Sequence, residues 1–155
     1  MPQFNCAIVE VCVCAKIDDE FKFLILKRSQ TVKLYPGQWQ IITGHLLNDE
    51  KLQHAALREL KEETGFTPIK FWILPHTNTF IDAANDVVNV TAIFAAEVEL
   101  IEKIKLSNEH EKYLWVNIEE ANKYLVWPGQ VKAIEVLKNY ILSEKETNKL
   151  SQINL

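Results

Sequence analysis

The order of strand-like and helical segments narrows this chain to one class of fold. Short runs rich in Val, Ile, Phe and Cys are bounded by polar turns, as β-strands are. These runs cover residues 5–17, 21–27, 39–43, 69–81, 87–98 and 113–116. Helical periodicity is found in residues 48–64, with Asn48 or Asp49 as the predicted N-cap, in residues 118–124 and in residues 128–142. This order predicts an α/β fold in which helices pack on both faces of a mixed β-sheet.

The length of the chain, 155 residues, fits one domain with a substantial hydrophobic core and leaves little room for a second. We therefore expect a single domain over residues 1–155, of which the polar residues 144–155 form a frayed tail. No apolar run reaches the roughly 20 residues that a membrane-spanning helix requires. The first apolar stretch contains Glu10 and follows no basic residues, which is typical of a first strand rather than a signal peptide.

The charge and the cysteine content indicate which partners the protein can bind and in which cellular compartment it occurs. The 21 acidic and 17 basic residues give a net charge of −4, and no stripe of Lys and Arg is present that would neutralise a nucleic-acid backbone. The three cysteines, Cys6, Cys12 and Cys14, fit neither a disulfide framework nor a zinc site. Alternation puts Cys12 and Cys14 on one face of a strand as small apolar side chains. The sequence therefore predicts a cytoplasmic protein without a nucleic-acid or membrane partner, and it is compatible with a homodimer.

Three acidic residues share one flank of the predicted central helix. Glu59, Glu62 and Glu63 lie at positions i, i+3 and i+4, so their side chains fall within an arc of about 100°. Like charges at these spacings repel by roughly 0.2–0.5 kcal/mol per pair. In one interpretation the helix is solvated and Arg58 and Lys61 offset the repulsion. In the other, the acids bind a divalent cation such as Mg²⁺, which prefers oxygen ligands.

The spacing around this helix favours the cation. Gly44 is followed after five residues by Glu50, and after seven more by the run Arg58-Glu59-Leu60-x-Glu62-Glu63-x-Gly65-Phe66. This pattern resembles the signature of the Nudix hydrolases at every fixed position. The resemblance implies a Nudix-type α/β/α sandwich and an enzyme that uses Mg²⁺ or Mn²⁺ to hydrolyse a phosphoanhydride bond of a small, nucleotide-like substrate.

The resemblance also implies roles for the motif glutamates. Glu59 and Glu63, one helical turn apart, are the first choice as metal ligands. Glu62 is a third ligand, or a base that acts through a water molecule. The backbone carbonyl of Gly44 is a further, neutral ligand.

Two other motif residues are expected to orient these acids. Arg58 carries a planar fork that suits a carboxylate held by two hydrogen bonds, and in proteins that carry this motif it orients the neighbouring acids. Glu50 is expected to belong to the same network. Gly65 is placed to end the helix.

Four residues upstream of the helix are candidates for substrate binding. In similar Nudix enzymes an arginine in the position of Arg28 binds the substrate phosphates, although a solvent-facing cation at a strand end is an equal alternative. Trp39 either stacks on a base or fills the core. Gln40 and Thr43 adjoin the expected catalytic loop, which makes them candidates for contact with the substrate.

Residues 106–116 resemble a late segment of dihydroneopterin triphosphate and deoxynucleoside triphosphate pyrophosphohydrolases. In those enzymes a glutamate ahead of the last short strand completes the metal site or serves as the base. Glu109 occupies the matching position, Glu111 is its competitor, and a solvated acidic loop is the remaining alternative. His110 is expected to shape the loop, since hard cations prefer oxygen.

The substrate is predicted from three short segments. Thr43-Gly44, residues 107–110 and residues 127–130 together favour dihydroneopterin triphosphate or a deoxynucleoside triphosphate such as dATP. Dinucleoside polyphosphates such as diadenosine tetraphosphate are the alternative, because that branch has a similar acidic-histidine segment. A Nudix-fold module that binds a nucleotide without turnover is a third hypothesis, which the intact motif disfavours.

Overall fold

The computed structural model describes residues 1–100 and 103–155. Its strands and helices, in chain order, are β1 (Gln3–Ile17), β2 (Glu20–Arg28), β3 (Trp39–Gln40), β4 (Ile42–His45), α1 (Leu52–Thr64), β5 (Lys70–Asp82), β6 (Val87–Glu97), β7 (His110–Val116), α2 (Ile118–Tyr124), α3 (Pro128–Val136), α4 (Glu146–Ser151) and β8 (Gln152–Ile153). A π-helical turn, Leu137–Ile141, continues α3. The helix predicted over residues 128–142 is therefore present, and its last turn is π-helical.

The strands form one mixed sheet in the order β3-β2-β1-β6-β5-β8. The long strand β1 lies in its centre, parallel to β6 and antiparallel to β2 and β4. On the other edge of β2 runs β7, which pairs with it from Phe23 to Arg28. The mixed sheet is confirmed.

Side-chain alternation along β1 divides the core into two layers. Val9, Val11 and Val13 pack with α1, whereas Cys12 and Cys14 pack on the opposite face with α2 and α3. The two thiols are buried on one face, as the alternation predicts. The predicted α/β/α sandwich is therefore confirmed, and α1, which carries the acidic residues, packs against one side of the sheet.

The start of α1 differs from the prediction of Asn48 or Asp49 as N-cap. The helix begins at Leu52 with Lys51 as its N-cap, and Asp49 lies in a turn with a φ of 60°. The Glu50 carboxylate accepts a hydrogen bond from the Leu47 N–H at 2.9 Å, and this contact closes the turn ahead of the helix. The end of α1 is as predicted, since Gly65 has a φ of 80° and its N–H bonds to a carbonyl in the last turn.

The segment expected to fray as a polar tail is instead ordered. Residues 146–151 form α4, and the following β8 pairs with β5 through Phe71–Ile153 and Trp72–Gln152. Asn148 Nδ2 also donates to the Ile141 carbonyl at 2.7 Å. A single apolar side chain, Ile153, packs on the core cluster that contains Phe71, which explains the order of a segment of polar composition. In the part of the chain that is described, no helix is long and apolar enough to cross a membrane.

Candidate active site

The three helical glutamates do not share one environment. Glu59 and Glu63 are 8% and 4% exposed and face the sheet, whereas the Glu62 side chain is 56% exposed. The predicted acidic flank is therefore split into two buried carboxylates, one turn apart, and an outer one. Buried carboxylates require hydrogen-bond partners, and the two find different ones.

Arg58 joins the loop ahead of α1 to the acids on the helix. Its Nε and Nη2 donate to the two oxygens of Glu50 at 2.8 and 2.9 Å, which is the bidentate geometry expected of this pair. Nη2 also donates to the His45 carbonyl, and Nη1 donates to Glu59 Oε1 at 2.7 Å and to Glu62 Oε2 at 3.2 Å. The hydrogen bonds from Arg58, together with the Leu47 N–H, lower the pKa of Glu50 to about 2. Arg58 thus contacts Glu50, Glu59 and Glu62, whereas the hydrogen bonds to Glu63 come from other residues.

Gly44 lies directly against the Glu59 carboxyl group. Strand β4 pairs Gly44 with Val9, on the face of the sheet that α1 covers. A Cβ atom at Gly44 would lie 2.0 Å from Cδ of Glu59, so only glycine leaves room for the carboxylate here. Burial raises the pKa of Glu59, the Arg58 guanidinium opposes this shift, and the nearby Glu62 and Glu63 charges add to it.

Glu63 is held by residues far from it in sequence. His110 Nδ1 lies 2.5 Å from Glu63 Oε2, and the Ser107 hydroxyl donates to the same oxygen at 2.9 Å. The other ring nitrogen of His110 lies 3.1 Å from Gln40 Nε2. His110 was expected only to shape the loop, because hard cations prefer oxygen. The strand β7, expected from Tyr113, in fact begins at His110. Pairing of His110 with Arg28 of β2 places it under α1.

The predicted substrate-binding residues fall on different sides of the sheet. Gln40 reaches the buried glutamates through His110. Trp39 packs edge-to-face on Tyr124, with ring centroids 5.3 Å apart, and belongs to the core cluster on the α3 side. Thr43 pairs with Glu10 in the sheet, and its hydroxyl donates to the Ile41 carbonyl. Their roles in substrate binding stay predictions.

Arg28 is anchored by one of its nitrogens. Its Nε donates to the Leu34 carbonyl at 2.7 Å, which ties the end of β2 to the loop that follows. This bond uses only Nε of the guanidinium. Arg28 therefore remains a candidate for phosphate binding.

The two competing late glutamates are distinguished by their contacts. Glu111 forms an ion pair with Lys27 at 2.9 Å, and the hydrogen bond from Lys27 lowers the pKa of Glu111. Glu109 is exposed, and its backbone is fixed by hydrogen bonds with Ser29 and Ser107. Since the Ser107 hydroxyl also donates to Glu63, the backbone of Glu109 is connected to a helical acid through Ser107.

Known proteins resemble this chain over most of its length. A family model described as a NUDIX domain matches residues 8–137. The chain belongs to the Nudix family. By sequence, it is 26% identical over 119 residues to the nucleoside triphosphatase NudI of Escherichia coli O139:H28, which covers 72% of this chain and 84% of NudI. The predicted class of enzyme, a Nudix hydrolase acting on phosphoanhydride bonds, is confirmed.

Solved structures of other Nudix proteins share the fold. A binary complex of C. elegans Ap4A hydrolase has a TM-score of 0.73 and 21% identity, and covers 90% of this chain and 99% of that chain. The MutT protein from Methanosarcina mazei Go1 has a TM-score of 0.71 and 23% identity, and covers 93% of this chain and 98% of that chain. These likenesses extend over most of each chain, and at such identities they concern the fold alone.

Nudix hydrolases generally use divalent metal ions, and the donors in this Nudix site fit one. Within residues 1–100 and 103–155, no three acidic, imidazole or thiol groups converge around a common point. Instead, Oε1 of Glu59 is held by Arg58, and Oε2 of Glu63 by His110 and Ser107. Each carboxylate keeps a second oxygen that accepts no hydrogen bond from the described residues. Hard oxygen donors of this kind, beside a glycine that admits no side chain, suit Mg²⁺ or Mn²⁺.

Exchanging Arg58 for lysine tests the orientation of these acids in the Nudix site. A lysine ammonium cannot bind Glu50 through two parallel hydrogen bonds while also reaching Glu59. We expect kcat to fall by about 10- to 100-fold, the effect typical of residues that orient metal ligands. Steady-state kinetics and thermal melts of Arg58→Lys and Glu50→Gln should change in the same direction. An Arg58→Lys enzyme with wild-type kcat would show that Arg58 has no part in orienting Glu59.

Proposed function

We propose that this chain is a pyrophosphohydrolase that uses Mg²⁺ or Mn²⁺ to cleave a phosphoanhydride bond of a nucleotide-like triphosphate. The observation that carries the proposal is the pair of buried carboxylates, Glu59 and Glu63, each with one oxygen left without a protein donor. A buried, like-charged pair of this kind is stabilised by a divalent cation. When bound, the cation would neutralise charge on the phosphate oxygens and lower the pKa of a water molecule.

The residues around the site would have separate roles in binding the cation and the substrate. Glu59, Glu63 and the Gly44 carbonyl would hold the cation, with Glu62 at the outer side. Arg58 keeps the Glu59 carboxylate in place through its 2.7 Å hydrogen bond. Arg28 would bind the phosphate chain and keep it in line for attack.

A glutamate at the edge of the site would take the proton from the attacking water. Glu109 is the first candidate, because its side chain is exposed and its backbone is fixed beside Ser107. Glu62, acting through a water molecule, is the second. General bases of this kind contribute about 10²- to 10⁴-fold to rate.

Dihydroneopterin triphosphate or a deoxynucleoside triphosphate such as dATP is our first choice of substrate. The segments at residues 43–44, 107–110 and 127–130 support it, and the relative NudI is a nucleoside triphosphatase. A dinucleoside tetraphosphate is the second candidate, favoured by the Glu109-His110 segment and by the fold shared with an Ap4A hydrolase. Three free cysteines, two of them buried, support a reducing, cytoplasmic environment.

The proposal is tested by incubating the protein with a panel of nucleotides, dinucleoside polyphosphates and dihydroneopterin triphosphate. We expect turnover with Mg²⁺ and none with excess chelator, and mass analysis of the products identifies the bond that breaks. Release of a monophosphate and pyrophosphate would support the triphosphate substrates. Tight binding of a nucleotide without turnover in Mg²⁺ would instead identify a non-catalytic module.

The role of Glu109 is tested separately by exchange for glutamine. Glu109→Gln should lower kcat by about 10²-fold or more while leaving KM nearly unchanged, because a base acts in the transition state. Glu111→Gln is the matched control, since it removes a neighbouring carboxylate whose partner is Lys27. A change in KM alone would assign Glu109 to substrate binding instead.

A further inference from the structure

A continuous chain of buried hydrogen bonds connects Gln40 through His110 to Glu63. Gln40 is 7% exposed and His110 is 5% exposed. The joining distances are 3.1 Å between the Gln40 amide nitrogen and His110 Nε2, and 2.5 Å between His110 Nδ1 and Glu63 Oε2. Ser107 adds a hydroxyl donor to the same carboxylate oxygen at 2.9 Å.

The sheet itself sets these positions. Within β2, Leu26 pairs with Gln40 of β3, and Arg28 pairs with His110 of β7. Gln40 and His110 therefore come from strands paired with β2, and they meet on the face that α1 covers. Because strands carry both side chains, their distance from Glu63 is fixed by backbone pairing rather than by a mobile loop.

The donors and acceptors assign the proton on the imidazole. A carboxylate only accepts hydrogen bonds, so His110 Nδ1 carries the hydrogen that points at Glu63. In a neutral ring the other nitrogen is then an acceptor, and the Gln40 amide nitrogen is the donor that faces it. Both ring nitrogens thus have a hydrogen-bond partner, and these two contacts hold the ring in a single orientation.

The contacts on Glu63 are strongly one-sided. Oε2 accepts from both His110 and Ser107, whereas Oε1 accepts nothing from residues 1–100 and 103–155. Among the described residues, the buried polar side-chain atoms that lack a partner are Trp72 Nε1 and His76 Nε2, so Oε1 of Glu63 is reached by solvent. Two donors on Oε2 fix the rotation of the carboxylate and leave this solvent-facing oxygen open to a ligand.

We propose that His110, backed by Gln40 and assisted by Ser107, is a positioning residue that aims Oε1 of Glu63 at the divalent cation. This inference rests on the proposed function. The sequence predicted that Gln40 contacts the substrate. Here the Gln40 amide nitrogen is instead hydrogen-bonded to the His110 ring, so Gln40 has a positioning role. Orientation of a metal ligand by a fixed hydrogen-bond donor typically changes metal affinity by about 10- to 100-fold.

Mn²⁺ affinity, measured by electron paramagnetic resonance in the absence of substrate, tests the inference. We expect His110→Leu to weaken Mn²⁺ binding by about 10- to 100-fold. His110→Asn places an amide N–H near the position of Nδ1–H and should restore most of the affinity. Gln130→Leu is the control, because it removes another buried amide whose partners are Glu10 and Ile41 rather than Glu63. It should lower the melting temperature without changing Mn²⁺ affinity.

Two milder variants keep the test decisive if His110→Leu does not fold. Ser107→Ala and Gln40→Leu each remove one link and should each weaken Mn²⁺ binding, by less than His110→Leu. Wild-type Mn²⁺ affinity in folded His110→Leu, or in both milder variants, would overturn the inference. A wild-type protein that neither binds Mn²⁺ nor turns over any substrate would instead overturn the proposed function.

Discussion

Glu63→Gln should lower kcat by about 10³-fold while the protein remains folded. The amide oxygen of glutamine can accept the hydrogen bonds from His110 and Ser107, so the buried contacts survive. The amide NH₂ then lies where the free carboxylate oxygen was, and it repels a cation instead of binding it. Loss of several kcal/mol of charge stabilisation, at about 1.36 kcal/mol per factor of ten, gives an effect of this size.

Steady-state kinetics on the substrate found in the panel, together with a thermal melt, measure both parts of this prediction. Glu135→Gln is a suitable control, because Glu135 lies on α3 and pairs with Lys132 at the surface. It should leave kcat unchanged. If Glu63→Gln also keeps its kcat, Glu63 does not belong to the metal site.

Gly44→Ala should lower kcat by about 10²-fold and lower the free energy of unfolding by about 1–3 kcal/mol, the range for an overpacked site. The added Cβ would lie 2.0 Å from Cδ and 2.2 Å from Oε1 of Glu59, so the carboxylate must move away. The displacement breaks the 2.7 Å hydrogen bond to Arg58. The Glu59 side chain can move more easily than strand β4. We therefore expect the substitution to affect kcat more strongly than the free energy of unfolding.

Gly65→Ala is the matched control for this change. Gly65 has a φ of 80°, where an alanine costs roughly 1–2 kcal/mol, but its nearest atom to a new Cβ is Lys105 Cβ at 3.6 Å. The two variants should therefore lose comparable stability, whereas only Gly44→Ala should lose most of its activity. Equal kcat values for the two would show that Glu59 need not stay beside Gly44.

The features that sequence predicted are those encoded by short spacings. The period of α1, its end at Gly65 and the alternation along β1 each depend on residues within a few positions of one another. These are the parts of the fold and of the site that local physics determines. The pairing of Arg58 with Glu50, eight residues earlier in the chain, was expected from the resemblance to the Nudix signature rather than from local periodicity.

The features that sequence missed depend on tertiary contacts. His110 lies 47 residues from Glu63, and its role follows from pairing with Arg28 across β2. The N-cap preference of Asn48 and Asp49 is overridden by the tether of Glu50 to Leu47 and Arg58. No periodicity within one segment carries such information.

The order of the tail also depends on a distant contact. Ile153 packs on the core that holds Phe71, about 80 residues away by the numbering, which polar composition alone cannot reveal. Trp39 had two interpretations, and its contact with Tyr124 shows how it packs without testing whether it also meets a substrate.

A crystal structure grown with Mn²⁺ and a non-hydrolysable triphosphate analogue tests the cation-binding role of the helical acids. We predict an anomalous-scattering peak of Mn²⁺ in direct contact with Glu59 and the free oxygen of Glu63, bridged to the phosphates of the analogue. A bound analogue with Mn²⁺ placed elsewhere, and with both carboxylates still held only by Arg58, His110 and Ser107, would contradict it.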